Sequence, residues 1–202
     1  MVTPSTTHDA ETEPMVFHKV VYILNALIRL RRDLVLTTLP HLAMVLRQVM
    51  LTMRHTQPNL GAKQMGAVMN TLPSWIAPSQ PLGVAEAKAL SRALEGLLAK
   101  TTIRTYSSNT VSESQKAESL SKPFSKHAAY VVKAYVEAMN DPLCVVPVEI
   151  RKELFPGLFA LCEMVSEHSR DSLMVSGLDS AGKVTMKALW KEYEKQRYVG
   201  KG

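Results

Sequence analysis

Cysteine is scarce: the 202 residues hold two, Cys144 and Cys162. Each stands in an apolar neighbourhood, so the pair offers no disulfide framework and suits a reducing compartment. No run of about 18 uncharged apolar residues occurs, so no transmembrane helix is expected. The opening MVTPSTTHDAETEP is polar and acidic and lacks the charged-then-apolar design of a signal peptide. Residues 1–14 are expected to form a disordered lead-in. A polybasic tail is also missing, although the net charge is +6 and the pI near 9.3. Residues 1–60 carry 6 basic and 4 acidic side chains, 61–146 carry 9 and 6, and 147–202 carry 9 and 8. An excess spread in this way permits attraction to RNA or acidic partners without demanding it.

The motifs of catalysis are wanting too. The stretch LDSAGK at 178–183 has a Gly-Lys step, but neither the earlier glycine nor the following Ser/Thr of a phosphate loop. His127, Cys144, Cys162 and His168 make a conceivable ligand set, yet no two stand at finger-like spacing, and no metal is expected. Ser125 and His127 are two apart on a helix and so point away from each other. No glycine-flanked serine elbow is present. No catalytic residue and no cofactor is therefore assigned.

What the chain does have is helical periodicity. Phe17 to Asp33 reads as a first helix that is apolar nearly all round, and such a helix is expected to be buried on two sides, as in layered helical repeats. Arg29, Arg31 and Arg32 crowd its C-terminal end, where the helix dipole favours them. Residues 34–38 fit either a turn or a continuation. Pro40 opens a second helix, with Leu42, Val45, Leu46, Val49, Met50 and Met53 on its core face. Prolines and glycines then break the pattern over about 55–83, where Lys63–Leu72 is a candidate short helix and Trp75 and Ile76 are candidates to dock on the core. Val84 to Lys100 is helical again, and the serine-rich stretch within about 103–122 reads as a mobile loop. Pro123 to Asn140 forms the next helix. Pro147 opens another, and Pro156-Gly157 in its middle predicts a kink or a restart. His168 to Ser176 fits a short turn or helix.

In the final stretch Asp179 and Ser180 are capping residues, and Ala181, Val184, Ala188, Leu189 and Tyr193 recur at helical spacing as a face to bury. Lys183, Lys187, Lys191 and Lys195 recur every fourth residue as a second stripe. A solvated face is one reading of that stripe; a contact for RNA phosphates or an acidic partner is the other. No strand pair is legible. The fold class that follows is all-α: antiparallel and repeat-like, a solenoid or bundle, with one helical domain over 15–202 and two long irregular loops.

Three stretches add something more specific: LSKPFSKH at 120–127 followed by Tyr130 and Tyr135, RKELFPGLFAL at 151–161, and LDSAGK at 178–183 followed by Ala188, Leu189, Trp190 and Tyr193. Their order and spacing resemble the C-terminal domain of a eukaryotic family, the nucleolar preribosomal-associated protein two or unhealthy ribosome biogenesis protein two. The likeness covers most of 15–198 and is most specific over 120–193. It implies a non-enzymatic helical scaffold of the nucleolus, acting in early assembly of the large (60S) ribosomal subunit and in pre-rRNA processing. The implied partners are a second large helical scaffold, a DEAD-box RNA helicase and small assembly factors, with pre-rRNA as a further candidate and no membrane. Family proteins are far longer, so a C-terminal piece or a short relative is expected, with YVGKG as a natural ending. Pro123, Phe124, Lys126, His127, Pro156, Gly157, Asp179 and Gly182 carry over as structural or contact positions. Lys183, Lys187, Lys191, Lys195, Arg29, Arg31 and Arg32 are the candidate contacts to RNA or partners. A direct RNA-binding domain using a basic helix face is the alternative function.

Overall fold

The computed structural model describes residues 12–77, 79–100 and 119–199. Among them are α1 (Thr12–Leu30), α2 (Arg32–Thr37), α3 (Leu39–Leu51), α4 (Ala62–Met69), α5 (Val84–Glu95), α6 (Ser121–Asn140), α7 (Val148–Met164), α8 (Glu167–Ser172) and α9 (Ser180–Val199). A π-helical turn, Leu173–Gly177, follows α8. The all-α expectation holds. One small correction applies: β1 (His55–Thr56) pairs antiparallel with β2 (Cys144–Val145). Two residues carry no readable alternation, and the partners lie far apart in the chain, so periodicity had no purchase on them.

Helices cross in close pairs. The most extensive packing is α5 on α7 and α3 on α6, and α6 against α7 joins the two pairs. Helix α1 lies on α5, and α9 lies across α6 and α7. A single core runs through all of them, with Phe17, Leu46, Leu90, Phe124, Leu154 and Leu189 among its members. Trp75 and Ile76 dock on it as expected: Ile76 is buried, and the Trp75 ring lies 6.4 Å from that of Phe17. His18 Nε2 lies 2.8 Å from Glu86 Oε1, while Glu86 Oε2 accepts from Gly83 N at 2.8 Å, so one buried carboxylate ties α1 to the start of α5.

Several boundaries differ from the sequence reading, each for a local reason. The lead-in expected over 1–14 lies outside the described residues up to 11; Thr12 already belongs to α1. The first helix ends at Leu30, because Arg31 takes φ −126° and ψ 50°. Residues 34–37 then belong to a separate short helix. Helix α5 stops at Glu95, and tight turns carry the chain from Gly96 to Ala99. Most of the serine-rich stretch (101–118) is outside the described residues. Val45 of α3 faces outward, while Ala43 takes an inward place.

Helix α7 runs through Pro156 without restarting. Proline removes the hydrogen bond to the Lys152 carbonyl, but Lys152 and Pro156 are both exposed, so water can serve that carbonyl. On the buried side sits Gly157. A Cβ there would fall 2.8 Å from Ser91 Cα and 2.8 Å from Ser91 O. Glycine lets α5 and α7 touch backbone to backbone, and Gly157 N donates to Ser91 Oγ at 2.8 Å across that contact.

Candidate partner-binding surface

Helix α9 begins with a cap built from its own sequence. Asp179 Oδ1 accepts from Gly182 N at 2.7 Å, and Asp179 O accepts from Lys183 N at 2.9 Å. The carboxylate thus fills the anion position at this helix start, the place a phosphate would need. Gly182 is also a close approach to α6: a Cβ there would meet Val136 Cγ1 at 3.2 Å. Asp179 thus caps α9, and Gly182 sits where α9 meets α6.

The buried face of α9 is rotated from the expected one. Gly182, Met186, Leu189 and Tyr193 point inward, whereas Ala181, Val184 and Ala188 are exposed. Both sets satisfy helical spacing. Gly182 suits the inward set, because a Cβ there would crowd Val136 Cγ1 at 3.2 Å and Asp179 Oδ1 at 2.9 Å.

The rotation leaves the lysine stripe outside. Lys187, Lys191 and Lys195 are exposed, and Lys183 is half-buried with Nζ 3.5 Å from Val175 O. Lys195 Nζ pairs with Glu192 at 2.7 Å. Lys187 and Lys191 border a shallow cavity of about 250 Å³ with Arg170, Met174, Met186, Trp190 and Glu194. The Arg170 guanidinium lies over the Trp190 ring, 5.3 Å from its centroid, and Tyr193 meets Trp190 edge-on at 5.6 Å. Trp190 is therefore a half-buried docking ring with a cation on it, rather than an open stacking platform. Sequence reasoning missed Arg170 and the methionines of this site. Arg170 and Met174 come from α8 and the π turn, and no local spacing links them to α9.

The arginines at the end of α1 do not act together. Arg29 is exposed. Arg31 donates to both carboxylate oxygens of Asp33, at 3.1 and 2.9 Å, and this raises its pKa and lowers that of Asp33. Arg32 corrects the expectation of a contact residue. It is buried, donates to Ile28 O at 3.0 Å and Ala99 O at 2.6 Å, and burial lowers its pKa. Its work is to close the end of α1 onto the chain after α5. Helices α1 and α9 pack on different partners, so the two basic groups form separate surfaces.

A larger cleft of about 720 Å³ opens between α3, α6 and the start of α9, lined among others by Arg47, Arg54, Lys133, Glu137, Asp141 and Asp179. Its two arginines are paired across the cleft. Arg47 binds Glu137 at 3.0 Å, and Arg54 binds Asp141 at 2.5 Å and Thr71 at 3.0 Å. Each arginine finds its acid about 90 positions away, so nothing local in the sequence announced these clamps.

The residues considered for catalysis or metal binding stand apart. Ser125 Oγ donates to Lys122 O at 2.7 Å, and His127 lies against the Phe124 ring at 6.0 Å. Phe124 is buried in the core, while Pro123 and Lys126 lie on the first turns of α6 with Lys126 exposed. Cys144 and Cys162 are both buried free thiols. Among the described residues no three His, Cys, Asp or Glu side chains are grouped as a metal site. Among the described residues no helix is long and apolar enough to cross a membrane.

These features define a class: an all-α protein of closely crossed helices with open, charge-lined surfaces. Within that class the chain belongs to the Urb2/Npa2 family, whose sequence model matches residues 1–201, and it is thereby linked to ribosome biogenesis. No curated protein and no solved structure matches the chain.

Proposed function

We propose that this chain is a non-catalytic scaffold domain in nucleolar assembly of the early large ribosomal subunit and in pre-rRNA processing. The family match along nearly the whole chain carries the reading. Its surfaces support it: the cavity beside Trp190 and the lysine stripe of α9 present docking area, and the two arginines of the large cleft are spent on ion pairs with Glu137 and Asp141. In this reading it joins a second large helical scaffold, a DEAD-box RNA helicase and small assembly factors. The test is a pull-down with the chain from nucleolar extract in high salt, with and without RNase. Assembly proteins that persist after RNase support scaffolding. Recovery of none of them, or only of ribonucleoprotein that RNase removes, would refute it.

A second reading has its own observation: three lysines of one helix face are exposed. They favour direct contact with RNA by Lys187, Lys191 and Lys195, assisted by Lys183. Replacing the four lysines by Gln should then weaken single-stranded RNA binding and reduce its salt slope by about 0.7 for each phosphate no longer neutralised. An unchanged slope sinks it.

A further inference from the structure

Helix α1 is apolar on two opposite sides. Phe17, Val21, Leu24 and Ile28 are buried against the core. At about 100° per residue, Met15, Tyr22, Ile23, Ala26 and Leu30 fall together on the other side. That side is uncovered: Tyr22 is 75%, Ile23 56% and Leu30 77% exposed. The sequence pattern predicted burial on both sides, and among the described residues only one side has a neighbour. Single exposed apolar residues are ordinary on a protein surface. A stripe running along several turns of one helix marks an interaction site.

Its charges select the occupant. Lys19 lies within the stripe and Arg29 at its edge; both are exposed, and neither has an ion pair among the described residues. A second copy is a poor fit. Two α1 helices laid antiparallel bring Lys19 of one near Arg29 and Leu30 of the other, and laid parallel they set Lys19 against Lys19, so either arrangement opposes like charges. RNA fits no better, since Ile23 and Leu30 neither stack on bases nor bond to phosphate. We propose that this stripe docks an amphipathic helix of a different protein. That helix carries apolar residues at three- and four-residue spacing and two Asp or Glu residues in register with Lys19 and Arg29, which stand roughly 15 Å apart along the axis at 1.5 Å per residue. The surface is separate from α9, so it stands whether or not the α9 stripe contacts RNA.

The test uses the full chain and fluorescence anisotropy. One labelled probe is a designed helical peptide of about five turns, with leucines on one stripe and two glutamates spaced to face Lys19 and Arg29. The second is the same peptide with lysines for the glutamates, and the third is a single-stranded oligouridine. The acidic peptide should bind at least about tenfold more tightly than the basic one, as electrostatic complementarity at a small interface allows. Tyr22→Ser with Leu30→Ser should abolish that binding while leaving the thermal transition in place, because both side chains are already in water. Lys19→Glu should erase the preference between the two peptides, and Lys19→Glu with Arg29→Glu should reverse it. Equal binding of both peptides, no binding of the acidic one, or binding unaffected by the Tyr22/Leu30 changes would overturn the proposal. So would a concentration-dependent dimer in sedimentation that those changes dissolve, or oligouridine binding that they remove.

Discussion

Substituting Gly157→Ala probes the contact on which the helical layers depend. The added methyl would sit 2.8 Å from Ser91 Cα, 2.8 Å from Ser91 O and 3.0 Å from Leu94 Cβ. The first two are backbone atoms, so no rotamer change relieves the overlap, and α5 must move away from α7. Overpacking of this kind costs about 2 kcal/mol, within the usual 1–3. The shift also stretches the 2.8 Å bond from Gly157 N to Ser91 Oγ, worth about 1 kcal/mol. Against this, alanine is better than glycine inside a helix by about 1 kcal/mol. The net is a loss of about 2 kcal/mol, or roughly 4–8 °C in Tm for a chain of this size. Gly66 supplies the internal control. It lies mid-helix in α4, and a Cβ there would meet nothing within 4 Å. Gly66→Ala should therefore stabilise by about 0.5–1 kcal/mol through propensity and unfolded-state entropy alone. Urea unfolding followed by far-UV circular dichroism reads both. The reasoning fails if Gly157→Ala moves the midpoint upward alongside Gly66→Ala.

Further expectations follow from the same geometry. Ser91→Ala should cost about 1 kcal/mol by urea unfolding, the value of the inter-helix bond it removes; a neutral result would mean that Gly157 N is fully served within its own helix. Asp141→Ala strands the buried Arg54 guanidinium and removes the acceptor for Leu143 N at 2.9 Å, so it should cost about 3 kcal/mol; a cost under about 1 kcal/mol would show that water reaches Arg54. Asp179→Ala should lower stability by about 1 kcal/mol and speed amide exchange at the first turn of α9 above all. Burial pushes the Cys162 thiol up to about 12. An unfolded thiol ionises near 8.5, so above that pH the unfolded chain releases a proton that the native state keeps, and stability falls by about 1.4 kcal/mol per pH unit until the folded pKa. Cys162→Ala should show a shallower decline than wild type between about pH 8.5 and 10.5 in urea titrations; parallel declines would refute the assignment.

Much of this molecule is decided by periodicity along the chain. The 3.6-residue recurrence of apolar side chains, with Pro40, Pro147 and Asp179 at helix starts, determined that the protein is all-α and roughly where most helices lie. The stretches at 120–127, 151–161 and 178–183 were enough to point to the family. Helix-internal signals are local, so a single sequence carries them. What remained undecided depends on groups brought together from distant positions. Whether Arg32 meets solvent or the Ala99 carbonyl, which face of α9 turns inward, and which acids answer Arg47 and Arg54 are all set by neighbours far along the chain. The apolar outer side of α1 shows the same division. Its composition was legible and implied burial on both sides. Only the packing of α1 against α5 revealed which side is spent on the core and which stays exposed.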